Sequence, residues 1–328
     1  MDEKMLQKTI NDLVMPGKGI LAADESTNTM TKRLATIHVE STEDNRREFR
    51  EILLTTPNLN QHIAGVILFE ETLTQKSSSG IPFPELLEQK GIVPGIKVDK
   101  GLIPFESSLE EKTTQGLDGL PERLAKYKEA GARFAKWRVV YQISDQFPSR
   151  VLCKNNAMLL ARYAKICQNL DIVPIVEPEV LMDGNHSLEM CAKISEKVFH
   201  QVFHLLQKYH VALEYMLLKP NMIVAGKELS KQPSAKEVAE KTVEVLRRTV
   251  PVAVPSINFL SGGLSDETAT DYLTAINQVG KQPWQLSFSF GRALQAPALQ
   301  AWMGKKENIK ATQVALMERA KLNGAAVV

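Results

Sequence analysis

Lys219 is the residue of this 328-residue chain whose setting says most about chemistry. It follows Tyr215-Met216-Leu217-Leu218 and precedes Pro220-Asn221. A lysine of ordinary pKa, near ~10.4, is only about 0.1% free amine at about pH 7.4. An apolar setting with a cation close by brings a lysine to roughly 7–8, raising the nucleophilic fraction about a hundredfold. Such an amine attacks a ketone and forms a Schiff base. A salt-bridged lysine, or one with a buried stem and a wet head, fits the same spacing, and spacing alone leaves both readings open.

Other chemistry-bearing residues stand where short apolar runs end. Asp24 ends the first run, Glu70 and Glu71 the second, Lys97 and Asp99 the third. Lys136 and Arg138 belong to the fourth, Glu177 and Glu179 to the fifth, Lys219 to the sixth. Lys136 and Arg138 are two apart, so on a strand they share a face with Phe134. Two inward cations are costly without carboxylates beside them, and Glu177 or Asp99 can serve. The seventh run opens into Ser261-Gly262-Gly263 and the eighth into Ser289, Gly291 and Arg292. Glycine loops bare their backbone N–H groups, and an arginine forks onto phosphate oxygens. Two tight turns and a surface arginine would read the same way. His200 and His204 have metal-ligand spacing but lack the accompanying glutamate, so a plain pair on a helix is the simpler reading. Trp137, Trp284 and Trp302 read as packing, since no basic groove runs beside them.

Eight runs carry these residues: Gly19–Ala23, Ile63–Phe69, Val93–Val98, Arg133–Val139, Ile172–Val176, Leu213–Leu218, Val252–Leu260 and Trp284–Phe290. Each is too short for a helix and rich in β-branched or aromatic residues. Helical periodicity fills gaps at Asp44–Leu54, Pro121–Ala130, Arg150–Leu170, Ser187–Tyr209, Ser234–Thr249, Ser265–Val279 and Glu307–Asn323. Alternating buried strands and helices imply a parallel sheet, and eight alternations predict a closed (β/α)8 TIM barrel, α/β in class. An open doubly wound sheet is the alternative, weakened by the lack of a glycine-rich nucleotide loop after the first strand. No linker interrupts the pattern, which predicts one domain over residues 1–328. In a barrel the C-terminal strand ends hold the active site, and that is where the charges collect.

Composition narrows the function. Hydrophobic residues make up 44% and charged residues 24%, ordinary for a globular protein with a large core. Forty Lys plus Arg against 38 Asp plus Glu leave a net charge of +2, without the clustered excess of a nucleic-acid binder. Cys153, Cys167 and Cys191 are odd in number and widely spaced, which argues against disulfides or a cysteine zinc site. No apolar stretch is long enough for a membrane span, and the first residues are too charged for a signal peptide. The expected location is the cytoplasm.

The chain resembles the class I, Schiff-base-forming fructose-1,6-bisphosphate aldolases. The resemblance rests on PGKGILAADEST at 16–27, GVILFEET at 65–72, GIKVDKG at 95–101, TTQGLDGL at 113–120, FAKWR at 134–138, IVPIVEPE at 172–179, LLKPNM at 217–222, FLSGG at 259–263 and SFSFGRALQ at 287–295. It spans nearly the whole chain. It implies a lyase of glycolysis and gluconeogenesis that cleaves fructose 1,6-bisphosphate reversibly to dihydroxyacetone phosphate and glyceraldehyde 3-phosphate. Lys219 would be the Schiff-base lysine, Glu177 the general acid/base of carbinolamine formation and dehydration, and Asp24 the base on the C4 hydroxyl. Lys136 would stand beside the imine with Arg138 as its basic neighbour, and Glu179 would help hold the active-site lysines. Ser26, Arg33 and Lys97 would bind one phosphate; Ser261, Gly262, Ser289, Gly291 and Arg292 would surround the other. The protonated imine is the electron sink, so the resemblance implies neither metal nor organic cofactor. It also implies a homotetramer, with Asp118 at a subunit interface, and sugar phosphates as partners, with no nucleic acid or membrane. Asn28-Thr29 stands where Gly-Ser is common in the family, and Phe290 where tyrosine is common. Other imine-forming barrels, which need no second phosphate site, and a non-catalytic scaffold on the same fold are the competing readings. The retained set of Asp24, Lys136, Glu177 and Lys219 speaks against the scaffold.

Overall fold

The computed structural model describes residues 1–328, the side chain of Leu109 excepted. The chain opens with α1 (Glu3–Leu13), started by Asp2, whose carboxylate accepts the N–H groups of Lys4 and Met5. Then come β1 (Gly19–Ala23), α2 (Thr27–Ala35), α3 (Glu43–Thr55), β2 (Ile63–Leu68), α4 (Glu70–Thr74), α5 (Phe83–Gln89) and β3 (Val93–Lys97). A hairpin of β4 (Leu102–Phe105) and β5 (Ser108–Thr114) precedes α6 (Leu120–Glu129) and β6 (Phe134–Tyr141). The second half runs α7 (Arg150–Asn169), β7 (Val173–Val180), α8 (Leu188–Lys208), β8 (Leu217–Leu218), α9 (Ala235–Thr249) and β9 (Ser256–Phe259). It ends with α10 (Asp266–Gln278), β10 (Gln285–Phe290), α11 (Arg292–Trp302) and α12 (Ile309–Ala325).

Eight strands close a parallel barrel in the order β1, β10, β9, β8, β7, β6, β3, β2, and the hairpin stays outside it. Helices surround the barrel, making it a (β/α)8 TIM barrel. Its wall divides the apolar residues in two. Outward side chains such as Trp137, Val139 and Phe288 join the large core beneath the helices. Inward ones form a smaller core of Ile20, Ala22, Ile67, Val93, Phe134, Val173, Ile175 and Leu217, together with Leu6, Ile10 and Leu13 of α1. The N-terminal helix therefore plugs the bottom of the barrel. The Phe134 ring fills the interior above it, and the ring leaves no room for a side chain at Gly95, where an added Cβ would collide with it.

Several elements differ from the sequence expectation. The sixth strand shrinks to two residues, because Leu213–Tyr215 winds into a 3-10 turn with none of its residues buried. The seventh begins only at Ser256: Pro255 has no N–H to give a ladder, and Val252 is 74% exposed. The polar run at β5 carries no apolar alternation, so the hairpin escaped the pattern. The helix α2 escaped too, since only Met30 and Leu34 on it are buried.

Candidate active site

Alternation along β6 turns Phe134, Lys136 and Arg138 inward and Trp137 outward. Lys136 is register neighbour to Lys97 on β3, and Arg138 to Glu177 on β7. Charges from adjacent strands thus meet at the C-terminal end of the barrel. All fourteen candidate residues line one cavity there, of about 770 Å³: Asp24, Ser26, Arg33, Lys97, Lys136, Arg138, Glu177, Glu179, Lys219, Ser261, Gly262, Ser289, Gly291 and Arg292.

The charges alternate in sign through the cavity floor. Lys219 Nζ is 3.1 Å from Glu177 Oε1, and Glu177 Oε2 is 3.2 Å from Lys136 Nζ. Lys136 Nζ also lies 2.8 Å from Asp24 Oδ2 and 4.0 Å from Asp99 Oδ2. Asp99 Oδ1 in turn accepts from Lys97 at 2.5 Å. Lys136, Glu177 and Lys219 are all buried. Such charges are tolerated because each cation touches a carboxylate. The close approach of Lys136 to Glu177 Oε2 lacks hydrogen-bond alignment, so that oxygen is buried with an unused acceptor. The Ser289 hydroxyl, also buried, has no partner either. Both unmet groups belong to residues that line the cavity.

These contacts set protonation states. Burial alone would raise the pKa of Asp24, but the charges of Lys136, Lys219 and Lys97 outweigh it and hold the carboxyl well below the usual carboxylate range. Burial works equally against the charge on Lys136. Asp24, Glu177 and Asp99 overcome it and hold the ammonium well above the ordinary lysine value. Arg138 is likewise held charged against burial, chiefly by Glu179. In the resting site Lys136 is therefore a cation and Asp24 an anion.

One expected contact differs. Glu179 pairs with Arg138, and among the described residues no ion pair joins it to a lysine. Glu177 instead bridges the two lysines. Arg138 points inward two residues beyond Lys136, and its long side chain reaches past its register neighbour Glu177 to Glu179, two residues further along β7.

The cavity rim holds two arms. On one side Ser26 caps α2, its hydroxyl accepting the Thr29 N–H at 3.4 Å, and Arg33 projects from the same helix's last turn. On the other, Ser261 leads into Gly262 and Gly263, both with positive φ, and a Cβ on Gly263 would press on the Met182 sulfur at 2.9 Å. Gly291 and Arg292 begin α11 beside that loop, with Arg292 Nη2 donating to the Leu264 carbonyl at 3.0 Å. Three residues of this neighbourhood lay outside the sequence reading: Glu25, which lines the cavity, and Arg50 and Gln295, which contact Glu25. Position alone marked Glu25, next to Asp24. Arg50 sits among Phe49, Ile52 and Leu53 on an otherwise apolar helix face, an anomaly that periodicity could have flagged. His200 and His204 are exposed on α8, away from the cavity. Trp137, Trp284 and Trp302 are buried packing residues.

Comparison with known proteins adds an independent line. The family model described as glycolytic, fructose-bisphosphate aldolase class-I, matches residues 5–328. A fructose-bisphosphate aldolase of Echinococcus multilocularis is 55% identical over 325 residues, covering 98% of this chain and 90% of the relative. Fructose-bisphosphate aldolase B of Oryctolagus cuniculus is 56% identical over 323 residues, covering 98% and 89%. A cytoplasmic isozyme from Cicer arietinum is 56% identical, covering 95% and 88%. Among solved structures, fructose-bisphosphate aldolase from Plasmodium falciparum, crystallised with TRAP and a small-molecule inhibitor, superposes with a TM-score of 0.97. It is 51% identical, and the match covers 98% of this chain and 94% of that one.

Proposed function

Since this chain belongs to the class I fructose-bisphosphate aldolase family, we propose that Lys219 is the amine through which it forms the family's Schiff base. The activity is the reversible cleavage of fructose 1,6-bisphosphate to dihydroxyacetone phosphate and glyceraldehyde 3-phosphate, a step of glycolysis and gluconeogenesis. The observation that carries the residue assignment is Glu177, placed between Lys219 and Lys136 with one oxygen toward each.

In this reading Glu177 takes a proton from Lys219, freeing the lone pair. The amine attacks C2 of the ketose and a carbinolamine forms. Glu177 returns its proton to the departing hydroxyl, water leaves, and a protonated iminium remains. Asp24, held ionised by Lys136, removes the C4 hydroxyl proton. The C3–C4 bond breaks, C4 becomes the aldehyde of glyceraldehyde 3-phosphate, and the bond's electron pair flows to C3 as the iminium becomes an enamine. Protonation at C3 and hydrolysis of the imine release dihydroxyacetone phosphate and restore Lys219. Lys136 stays charged throughout and steadies the two carboxylates it touches.

Ser261, Gly262, Ser289, Gly291 and Arg292 bind the C1 phosphate in this scheme, supported by the N-terminus of α11 and the unpartnered Ser289 hydroxyl. Lys97, Ser26 and Arg33 bind the C6 phosphate, while Glu179 and Arg138 brace each other at the cavity edge. Two charged grips orient the substrate across the mouth. The fold functions as a single domain over residues 1–328, in the cytoplasm, where several of the relatives are placed by name. No helix is long and apolar enough to cross a membrane. The chain assembles as a homotetramer with the exposed Asp118 at a subunit contact; analytical ultracentrifugation of the parent and Asp118→Arg decides this.

Borohydride reduction in the presence of dihydroxyacetone phosphate, followed by peptide mapping, tests the assignment. A stable adduct on Lys219 is expected. An adduct on Lys97 or Lys136 instead would overturn it.

A further inference from the structure

We propose that Glu25 is a positioning residue that holds the Arg33 guanidinium at the cavity rim and so sets the preference for a substrate with a second phosphate. The proposal rests on the reading of Arg33 as a ligand of the C6 phosphate.

Glu25 follows Asp24 at the end of β1, yet its side chain turns away from the lysines. Its carboxylate is 6% exposed and completely engaged. Oε1 accepts from Arg33 Nη1 and from Gln295 Nε2, the latter at 2.8 Å. Oε2 accepts from Arg50 Nη2 at 2.7 Å. Two of these partners are anchored. Gln295 Nε2 also donates to the Ala22 carbonyl at 2.8 Å, tying α11 to β1. Arg50 is 2% exposed within α3, and its Nε and Nη1 have no partner. Among the described residues, Glu25 is the only carboxylate paired with Arg50. The third partner, Arg33, is 25% exposed and opens onto the cavity.

A buried arginine with two idle nitrogens is an expensive feature for packing alone. Its effect is electrostatic. One carboxylate shared by two guanidiniums leaves one positive charge uncompensated, and the low-dielectric side of the trio is Arg50. The surplus is therefore available at Arg33, the partner that meets solvent. A guanidinium has five N–H donors, and Glu25 occupies Nη1 alone. Arg33 thus keeps Nη2 and Nε for an anion while its orientation is fixed from behind. A pre-set arginine loses less side-chain freedom when a phosphate arrives. A substrate without that phosphate gains nothing from the arrangement.

The test is a steady-state comparison of fructose 1,6-bisphosphate with fructose 1-phosphate, which lacks the distal phosphate. The parent, Arg33→Ala, Glu25→Gln and the double variant Arg33→Ala/Glu25→Gln are measured. Glu25→Gln is expected to lower the bisphosphate-to-monophosphate ratio of kcat/KM about tenfold, mainly through KM for the bisphosphate. In the Arg33→Ala background the same change should lower the ratio no further. If Glu25→Gln fails to fold because Arg50 is left buried and unpaired, Glu25→Gln/Arg50→Met removes both charges and carries the same readout. An unchanged ratio in Arg33→Ala overturns the phosphate assignment of Arg33 itself. A lowered ratio there with an unchanged ratio in Glu25→Gln, or additive losses in the double variant, overturns the positioning role alone.

Discussion

Asp24 and Lys136 stand 2.8 Å apart at the mouth of the barrel, and each holds the other in its charged form against burial. The pair makes stability depend on pH at both ends. The carboxyl of Asp24 is held below its unfolded value near ~3.9, so its contribution is present above that pH and drains away as pH falls. The ammonium of Lys136 is held above ~10.4, so its contribution is present below that pH and is lost as pH rises past it. Urea midpoints at pH 7 and pH 3 check the acid limb. The gap between the parent and Asp24→Asn should shrink at pH 3, and a gap that widens would contradict the ion pair.

Lys219→Arg separates charge from nucleophilicity. The guanidinium can keep a pair with Glu177 but stays protonated and forms no imine. Cleavage should fall by roughly 10⁴-fold or more, the scale of losing a nucleophile. Lys136→Met, which removes only the neighbouring cation, should still yield a borohydride adduct, though slowly. Mass spectrometry after timed reduction distinguishes the two, and a trappable Lys219→Arg would end the assignment.

Arg292→Ala isolates phosphate grip. Arg292 lies exposed at the start of α11, with one carbonyl contact to Leu264. Truncation should weaken substrate by about 1.5–3 kcal/mol, the range for a hydrogen bond to a charged group. Trapping should survive at high substrate concentration. Isothermal titration with an unreactive bisphosphate measures the loss directly; equal affinity in both proteins removes Arg292 from the phosphate site.

Gly95→Ala tests the packing under the lysines. The added methyl runs into the Phe134 ring, and overfilling a core costs about 1–3 kcal/mol. Phe134→Leu in the same chain should recover part of that loss, a coupling that a denaturant double-mutant cycle reads out. Additive losses would mean that the two residues do not share the space.

The parts of this architecture that were legible from sequence are those whose signal is local. Period-two alternation put Lys136, Arg138 and Phe134 on one face, and the structure turns that face inward. Run ends marked the lining of the cavity because a parallel barrel puts every strand's C-terminus on the same side. What stayed hidden depends on contacts between distant segments. Periodicity can flag Arg50 as a charge on an apolar helix face, but not its partner Glu25, 25 residues away in sequence. Gln295 reaches the same carboxylate across 270 residues. Glu179 is expected at a lysine, yet it pairs with Arg138, whose side chain reaches two residues past its register neighbour Glu177. Resemblance supplied residue roles that spacing alone left undecided, most of all for Lys219.

The plug made by α1 and the Phe134 ring gives the barrel a single doorway. Everything that enters must leave by the route it came. During turnover one fragment is tethered to the protein, so the untethered aldehyde must depart first, past the two residue sets proposed to grip phosphate. Traffic is then one-way in time although two-way in space. An anion lodged at the rim would act as a stopper, slowing exit as much as entry, and the order of product release becomes a property of the vessel's shape as well as of the bond chemistry at its floor.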